Sequence, residues 1–289
     1  MIAKKFLGQH FLTDETIARR IVESIAALGN QPCDTTQTVK QSNSQAVSNV
    51  LEIGPGMGVL TKYMVDDKRL NLKSVEIDSE SVAYLRSHYP TLQIIEGDFL
   101  RLDLSQIFAQ SISQAQILKQ SDNHTIKQSN TFTLIGNFPY NISSQILFKV
   151  YDNRDIVPEV VGMFQKEVAE RIVSPPGNKS YGILSVLLSA YYDMEYLFTV
   201  HESVFNPPPK VKSAVIRLRR NGRTTLDCDE ELFKKVVKAG FNLRRKTLRN
   251  ALKSIAVNYD QVPSEFLDKR AEQLSCHDFE CITNLISLP

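Results

Sequence analysis

With 289 residues, 42% of them hydrophobic, the chain can bury a sizeable core and has room for one large domain and a small one. The four cysteines (Cys33, Cys228, Cys276, Cys281) form no Cys-x-x-Cys pair and no uncharged apolar run reaches spanning length, which argues against a zinc site, a disulfide framework, membrane insertion or secretion and leads to the expectation of a cytoplasmic protein. The net charge of +2 is unevenly spread: Phe205 to Lys253 holds fourteen Lys/Arg against four acids, a balance of +10 that leaves −8 elsewhere, as suits either a polyanion partner or a solvated basic face.

The chain opens on an arm, Lys4-Lys5-Phe6-Leu7-Gly8-Gln9-His10-Phe11-Leu12, whose aromatics and leucines must pack onto something that the sequence does not name. A helix follows, capped by Thr13 or Asp14, with Ile17, Ile21, Val22, Ile25 and Leu28 at helical spacing. Residues 31–49 and 105–131 are polar excursions that share short Lys-Gln-Ser echoes; no function is assigned to them.

Val50 to Ile53 reads as a strand, and Gly54-Pro55-Gly56-Met57-Gly58 turns it into a helix beginning near Val59. Glycines there allow a tight turn and a close approach of backbone to ligand. A second strand, Leu72 to Ile77, delivers Glu76 twenty-two residues after Gly54, a spacing that suits a carboxylate on the ribose hydroxyls of an adenosine-containing cofactor, nicotinamide cofactors included. A third, Leu92 to Glu96, leads to Gly97-Asp98, where the carboxylate can accept from an adenine amino group while the next backbone N–H donates to the ring.

A fourth strand, Phe132 to Ile135, runs into Gly136-Asn137-Phe138-Pro139-Tyr140. In open α/β sheets that carboxyl edge is where ligands bind. The Asn137 side-chain carbonyl and the backbone carbonyl of Phe138 or Pro139 can together accept both hydrogens of a planar exocyclic amine, and Tyr140 can stack on its ring. With Gly54, Glu76 and Asp98 on the same edge, this turn fits S-adenosylmethionine better than a nicotinamide. Five histidines without a His-x-x-x-His pair, and no serine elbow, give metal and hydrolase chemistry little support.

Downstream, Glu159 to Phe164 reads as a strand, Gln165 to Ile172 as a helix, Tyr181 to Tyr192 as a helix, and Glu195 to Val200 and Ser213 to Arg219 as extended. Phe205-Asn206-Pro207-Pro208-Pro209-Lys210 forms a stiff loop that either holds Phe205 outward or buries it as a core aromatic. A linker at Asn221-Gly222-Arg223 divides residues 1–220 from a helical domain, 221–289. In that domain Leu248, Leu252 and Ile255 form an apolar face, and Arg245, Arg249 and Lys253 repeat every fourth residue as one cationic stripe. Leu232 to Lys253 contains eight basic residues and no acid, which favours phosphate contact.

Taken together, Gly8-Gln9-His10-Phe11-Leu12, Glu52-Ile53-Gly54-Pro55-Gly56, Val75-Glu76-Ile77-Asp78, Gly97-Asp98, Gly136-Asn137-Phe138-Pro139-Tyr140-Asn141-Ile142-Ser143, Phe164-Gln165-Lys166-Glu167-Val168, Phe205 to Ala214 and Phe241-Asn242-Leu243-Arg244-Arg245-Lys246-Thr247 resemble the KsgA/RsmA-type ribosomal RNA adenine N6-dimethyltransferases. The resemblance spans the chain apart from the two polar excursions. It implies an α/β class I methyltransferase domain with a mostly parallel seven-stranded sheet, a small all-α C-terminal domain, and S-adenosylmethionine, without a metal, held by His10, Leu12, Gly54, Glu76, Asp98 and Asn137. The residues read as catalytic are Asn137, Pro139 and Tyr140, and those read as RNA contacts are Phe205, Arg244, Arg245, Arg249 and Lys253. The implied substrate is a pair of adjacent adenosines in the 3′-terminal hairpin loop of 16S rRNA, modified by a monomer acting on the small ribosomal subunit or its precursor. An assembly factor that works mainly by binding, and an Erm-like methylase of large-subunit rRNA, are the alternatives.

Overall fold

The computed structural model describes residues 10–28, 47–109 and 130–286. Cys33, the arm before His10 and most of the two polar excursions lie outside the described residues. In chain order the regular elements are β1 (Phe11–Leu12), α1 (Glu15–Glu23), β2 (Ser48–Ile53), β3 (Leu70–Glu76), α2 (Ser79–His88), β4 (Gln93–Glu96), β5 (Thr133–Asn137), α3 (Ser143–Asp152) and β6 (Glu159–Gln165). They continue with α4 (Lys166–Ile172), α5 (Ile183–Ser189), β7 (Tyr192–Val200), β8 (Phe205–Asn206), β9 (Ser213–Arg220), α6 (Glu230–Asn242), α7 (Leu248–Leu252), α8 (Ser264–Leu267) and α9 (Cys276–Leu285).

Seven strands form one sheet in the order β4-β3-β2-β5-β6-β9-β7, and the five from β4 to β6 are parallel. Strands covered on both faces read as continuous apolar runs, which is why Val50-Leu51, Leu134-Ile135 and Val160-Val161 are fully buried. From β2 the chain winds outward through β3 and β4, then returns to the other side of β2 as β5, so the strand order reverses between β2 and β5. That reversal opens a crevice at the carboxyl ends, where Ile53, Glu76, Glu96 and Asn137 finish their strands.

The helix expected from Val59 is only a 3-10 turn at Thr61–Tyr63. Gly54, Gly56 and Gly58 all take left-handed backbone (φ 62°, 55° and 79°), and the tight bond from the Gly58 N–H to the Pro55 carbonyl (2.8 Å) uses the residues that would have made a first α-turn. Asp14, not Thr13, caps α1, accepting from the N–H groups of Thr16 and Ile17; Thr13 instead donates both its N–H and its hydroxyl to the Val204 carbonyl.

The chain forms two compact units, Met1–Lys166 with Leu197–Leu218, and Glu167–Tyr196 with Arg219–Pro289. Glu167–Tyr196 belongs with the C-terminal helices, as the bond from the Gly177 N–H to the Glu272 carbonyl (2.7 Å) and the Tyr181 ring edge-on to Phe241 (5.9 Å) illustrate. The expected linker is itself anchored, since Arg223 makes a bidentate pair with the buried Glu280 of α9 at 2.7 and 2.5 Å.

Phe138 is the packing link between β5 and β6. Its ring lies edge-on to Phe164 (5.1 Å) in space left by Gly136 and Gly162, and a Cβ on Gly162 would come within 2.4 Å of the Phe138 ring. Gly162→Ala is therefore expected to destabilise the protein by about 1–3 kcal/mol, the usual cost of overpacking, seen as a lower denaturant midpoint with unchanged slope.

Candidate active site

A cavity of about 240 Å³ occupies the crevice, lined by the ends of β1 to β5 and the turns that follow them. Its near wall is the glycine loop. Phe11 lies over that loop, and a Cβ on Gly56 would touch the Phe11 ring at 3.0 Å. The aromatic of the N-terminal arm thus packs on the loop that borders the cavity, the contact that the sequence implied without a target.

Glu76 is buried at the end of β3, and its carboxylate accepts three backbone N–H groups: Ile77 and Asp78 on Oε1 (both 2.9 Å) and Gly56 on Oε2 (3.0 Å). Burial pushes this carboxyl above the usual range despite the three donors. One Oε2 lone pair remains for a ligand hydroxyl. Beside it Glu52 lies beneath the glycine loop, with Oε2 accepting from Thr61 (2.6 Å) and Ser74 (3.3 Å). Burial pushes Glu52 up to about 7, and the charge of Glu76 adds to the rise.

Asp98 ends the β4 turn and uses Oδ1 to cap the Leu100 N–H (2.9 Å), while Oδ2 lies 3.5 Å from Arg101. The segment behind it is fastened from α3: Lys149 Nζ donates to the carbonyls of Leu100 (3.0 Å) and Leu102 (2.5 Å) and sits over the Phe99 ring. Because α3 begins directly after the Asn-Phe-Pro-Tyr turn, this lysine ties that turn to the Asp98 loop. Nothing in its sequence context marks it, since the contact spans 47 residues.

At the end of β5 the side chains alternate: Phe138 goes into the core and Asn137 into the cavity. Asn137 Nδ2 donates to the backbone carbonyl of His10 (2.9 Å). A carbonyl only accepts, so this bond fixes the amide orientation and leaves Oδ1 as an acceptor. The Pro139 carbonyl takes the Ile142 N–H (3.2 Å) and keeps its second lone pair. The Tyr140 hydroxyl bonds Ser213 Oγ at 2.5 Å, which holds the ring half-buried at the rim. His10 stacks against Tyr140 (5.4 Å, 26° between planes), and its Nδ1 donates to the Pro207 carbonyl at 2.8 Å.

His10, Leu12, Gly54, Glu76, Asp98, Asn137, Pro139 and Tyr140 thus line one cavity. The expected RNA contacts divide differently. Phe205 is 4% exposed and belongs to the core with Leu12 and Ile21, because β8 pairs with β1 in the register Phe205↔Leu12; of the two readings of its loop, the core aromatic is the one realised. The stripe of Arg245, Arg249 and Lys253 does not form on one helix, because α7 holds only Leu248–Leu252 and Arg245 stands in the preceding turn. Arg244 pairs with Glu272 (2.9 Å) and donates to the Tyr181 carbonyl, and Arg249 pairs with Asp268 (3.1 Å). Arg245 and Lys253 are exposed and make no ion pair among the described residues.

An open sheet with its ligand cavity at the reversal point, walled by a glycine loop and carboxylates at successive strand ends, defines the class I methyltransferase fold. Two solved structures share it at 22–23% identity: a dimethyladenosine transferase from Plasmodium falciparum (TM-score 0.66, covering 94% of this chain and 96% of that one) and the 23S rRNA methyltransferase ErmE (TM-score 0.62, 95% and 99%). The model of a family described as ribosomal RNA adenine dimethylase matches residues 2–286, and the chain belongs to that family. Among its relatives are the ribosomal RNA small subunit methyltransferase A of Cytophaga hutchinsonii, 53% identical over 99% of this chain and 97% of that one, and that of Bacteroides thetaiotaomicron, 50% identical over 98% and 93%. Membership implies S-adenosylmethionine as the methyl donor, and the cavity fits it: the loop carries no Cβ at Gly54 and Gly56, Glu76 retains an acceptor for a ribose hydroxyl, and the ionisable side chains facing a cationic ligand are mainly carboxylates.

The buried Glu52 gives this site a pH signature. Its folded value of about 7 lies above the ordinary 4.5, so the folded protein keeps a proton that the unfolded chain has already lost between those pH values. Stability therefore falls as pH rises through that window, by about 3 kcal/mol at 1.36 kcal/mol per unit. Glu52→Gln is expected to remove that component, so the difference in unfolding free energy between variant and wild type changes by this amount from pH 4.5 to pH 8.

Proposed function

We propose that the protein transfers methyl groups from S-adenosylmethionine to N6 of two adjacent adenosines in the 3′-terminal hairpin loop of 16S rRNA, on the small ribosomal subunit or its precursor, giving N6,N6-dimethyladenosine at both. The observation that carries the reading is the Asn137 amide, whose Nδ2 is committed to His10 so that Oδ1 stands as an acceptor beside the Pro139 carbonyl and the Tyr140 ring. The choice of small subunit is supported by relatives near 50% identity named small subunit methyltransferase A.

In this reading Leu12, Gly54, Glu76, Asp98 and the His10–Asn137 pair hold the donor, which supplies an electrophilic methyl on sulfur. The acceptor adenine leaves its stack, an inexpensive step in a loop, and rests on Tyr140 for about 1–3 kcal/mol. Its N6 lone pair is delocalised into the ring. Hydrogen bonds from N6 to Asn137 Oδ1 and the Pro139 carbonyl draw the lone pair out of conjugation and aim it at the methyl group. As the nitrogen–carbon bond forms, the methyl–sulfur bond would break with its electron pair left on the sulfur of S-adenosylhomocysteine. The excess proton would then pass from the acidified nitrogen to solvent, so no strong base is required; in the second transfer the one remaining N6–H serves one of the two acceptors. Alignment is then the main source of acceleration, worth about 7–11 kcal/mol. Of the four second-unit cations expected to contact RNA, Arg245 and Lys253 are the two left available to rRNA phosphates, whereas Arg244 and Arg249 hold their own unit together.

Asn137→Ala is expected to abolish transfer while rRNA binding survives; parallel loss of both would refute this division of labour. Incubation with labelled cofactor and separated ribosomal subunits should label the small-subunit RNA at the paired adenosines. Label in large-subunit RNA, or binding without label, would instead select the Erm-like or the assembly-factor reading.

A further inference from the structure

The segment Pro207–Ser213 is fastened to the active site at both ends. At one end the Pro207 carbonyl accepts His10 Nδ1 (2.8 Å); at the other Ser213 Oγ bonds the Tyr140 hydroxyl (2.5 Å). His10 and Tyr140 are themselves stacked rings of the cavity rim. A third tie fixes the segment just inside its C-terminal end, where the Lys212 carbonyl accepts the Lys166 N–H at 2.9 Å. Three consecutive prolines, Pro207 to Pro209, remove much of the remaining backbone freedom, and the buried Pro209 seats the turn. What the segment presents outward is Lys210, Val211 and Lys212. All three are exposed, Val211 at 46%, and neither lysine forms an ion pair among the described residues.

An ordinary surface lysine sits on a flexible stem above a backbone that owes nothing to the active site. Here two unpaired cations flank an exposed apolar residue on a stiff backbone that is hydrogen-bonded to Tyr140, the ring expected to meet the acceptor base, and to His10, which is stacked on it. We propose that Lys210 and Lys212 bind the phosphates flanking the acceptor adenosine, with Val211 against the sugar between them, so that the rRNA strand is gripped beside the cavity as its base enters. The proposal rests on the rRNA methylation reading and adds to it a strand-binding rim in the catalytic unit, separate from the cations of the second unit. Preorganisation matters for such a contact: a backbone ordered before binding loses little entropy when the strand arrives.

The test is the double variant K210Q/K212Q, with K210E/K212E as its charge-reversed counterpart, assayed on protein-free small-subunit rRNA and on whole small subunits. Both lysines are exposed, so melting temperature and S-adenosylhomocysteine affinity should match wild type. Losing two phosphate contacts on single-stranded RNA should lower the slope of log affinity against log salt by about 1.4. Between 50 and 200 mM salt the wild type should then lose about sevenfold more affinity than the Gln variant. The KM for rRNA should rise, with the Glu variant worse than the Gln variant. An unchanged salt slope in variants whose wild-type parent methylates rRNA would overturn the proposal and leave the methylation reading intact. A loss of affinity confined to whole subunits, with protein-free rRNA bound as by wild type, would also overturn it, because the lysines would then face ribosomal protein. If the wild type transfers no methyl to rRNA, the functional reading fails, and the salt slope of binding still decides whether these lysines touch phosphate.

Discussion

The site depends on one packing contact, the Phe138 ring lodged over Gly136 and Gly162. Neighbouring residues at a strand end point to opposite faces, so driving Phe138 into the core sends the side chain of Asn137 toward the cavity. Gly162 is what makes room, and the ring has Phe164 beside it as a second wall. A side chain at position 138 unable to fill that space would leave the turn free to rotate, and the amide of Asn137 with it. Thus a core contact on β6 determines the aim of a polar group on β5, and the apolar Phe between Asn137 and Pro139 shapes the cavity wall as much as the residues that face into it.

The N-terminal arm serves a second constraint. Its short strand pairs with β8, its His10 carbonyl takes the Asn137 amide, and its Phe11 ring covers Gly56. Residues 10–12 therefore touch two walls of the cavity at once, the glycine loop through Phe11 and the Asn-Phe-Pro-Tyr turn through Asn137 and Tyr140. Displacing these three residues would disturb both walls together. The carboxylates below are arranged with different freedom. Glu76 is saturated by backbone donors except at one lone pair, whereas Glu52 is sealed under the loop by hydroxyls, and burial sets the proton affinity of both.

Local patterns carried the strands and the ends of the crevice well. An apolar run bounded by glycine, such as Val50 to Ile53 before Gly54, marks a buried parallel strand because both faces are covered; Leu92 to Glu96 before Gly97 holds the edge strand β4, whose Ile94 and Ile95 are only half-buried. The same patterns failed where a long-range contact or backbone geometry decides. The helix from Val59 was preempted by left-handed glycines, a backbone state that periodicity does not register. Phe205 looked equally fit for display or burial until the pairing of β8 with β1 turned it inward. The cationic stripe assumed a helix through Arg245 that ends its reach at Leu248, and composition could not separate Arg245 and Lys253 from Arg244 and Arg249, whose acids lie 28 and 19 residues away in sequence. Ser213 and Lys149 escaped notice for the same reason: their partners are distant along the chain.

That partition of the arginines bears on how a nearly neutral protein addresses a polyanion. Net charge sets little of the attraction here, since the formal value is +2. What matters is which cations have been left without a carboxylate, because an arginine already neutralised by Asp or Glu releases few counterions when a phosphate approaches. Arg223, Arg244 and Arg249 hold backbone and helices in place through their pairs with Glu280, Glu272 and Asp268, and so give rigidity to the unit that carries Arg245 and Lys253. The basic segment is thus two populations with one composition: arginines committed to carboxylates within their unit, and exposed cations, Arg245 and Lys253 among them, without an ion pair among the described residues.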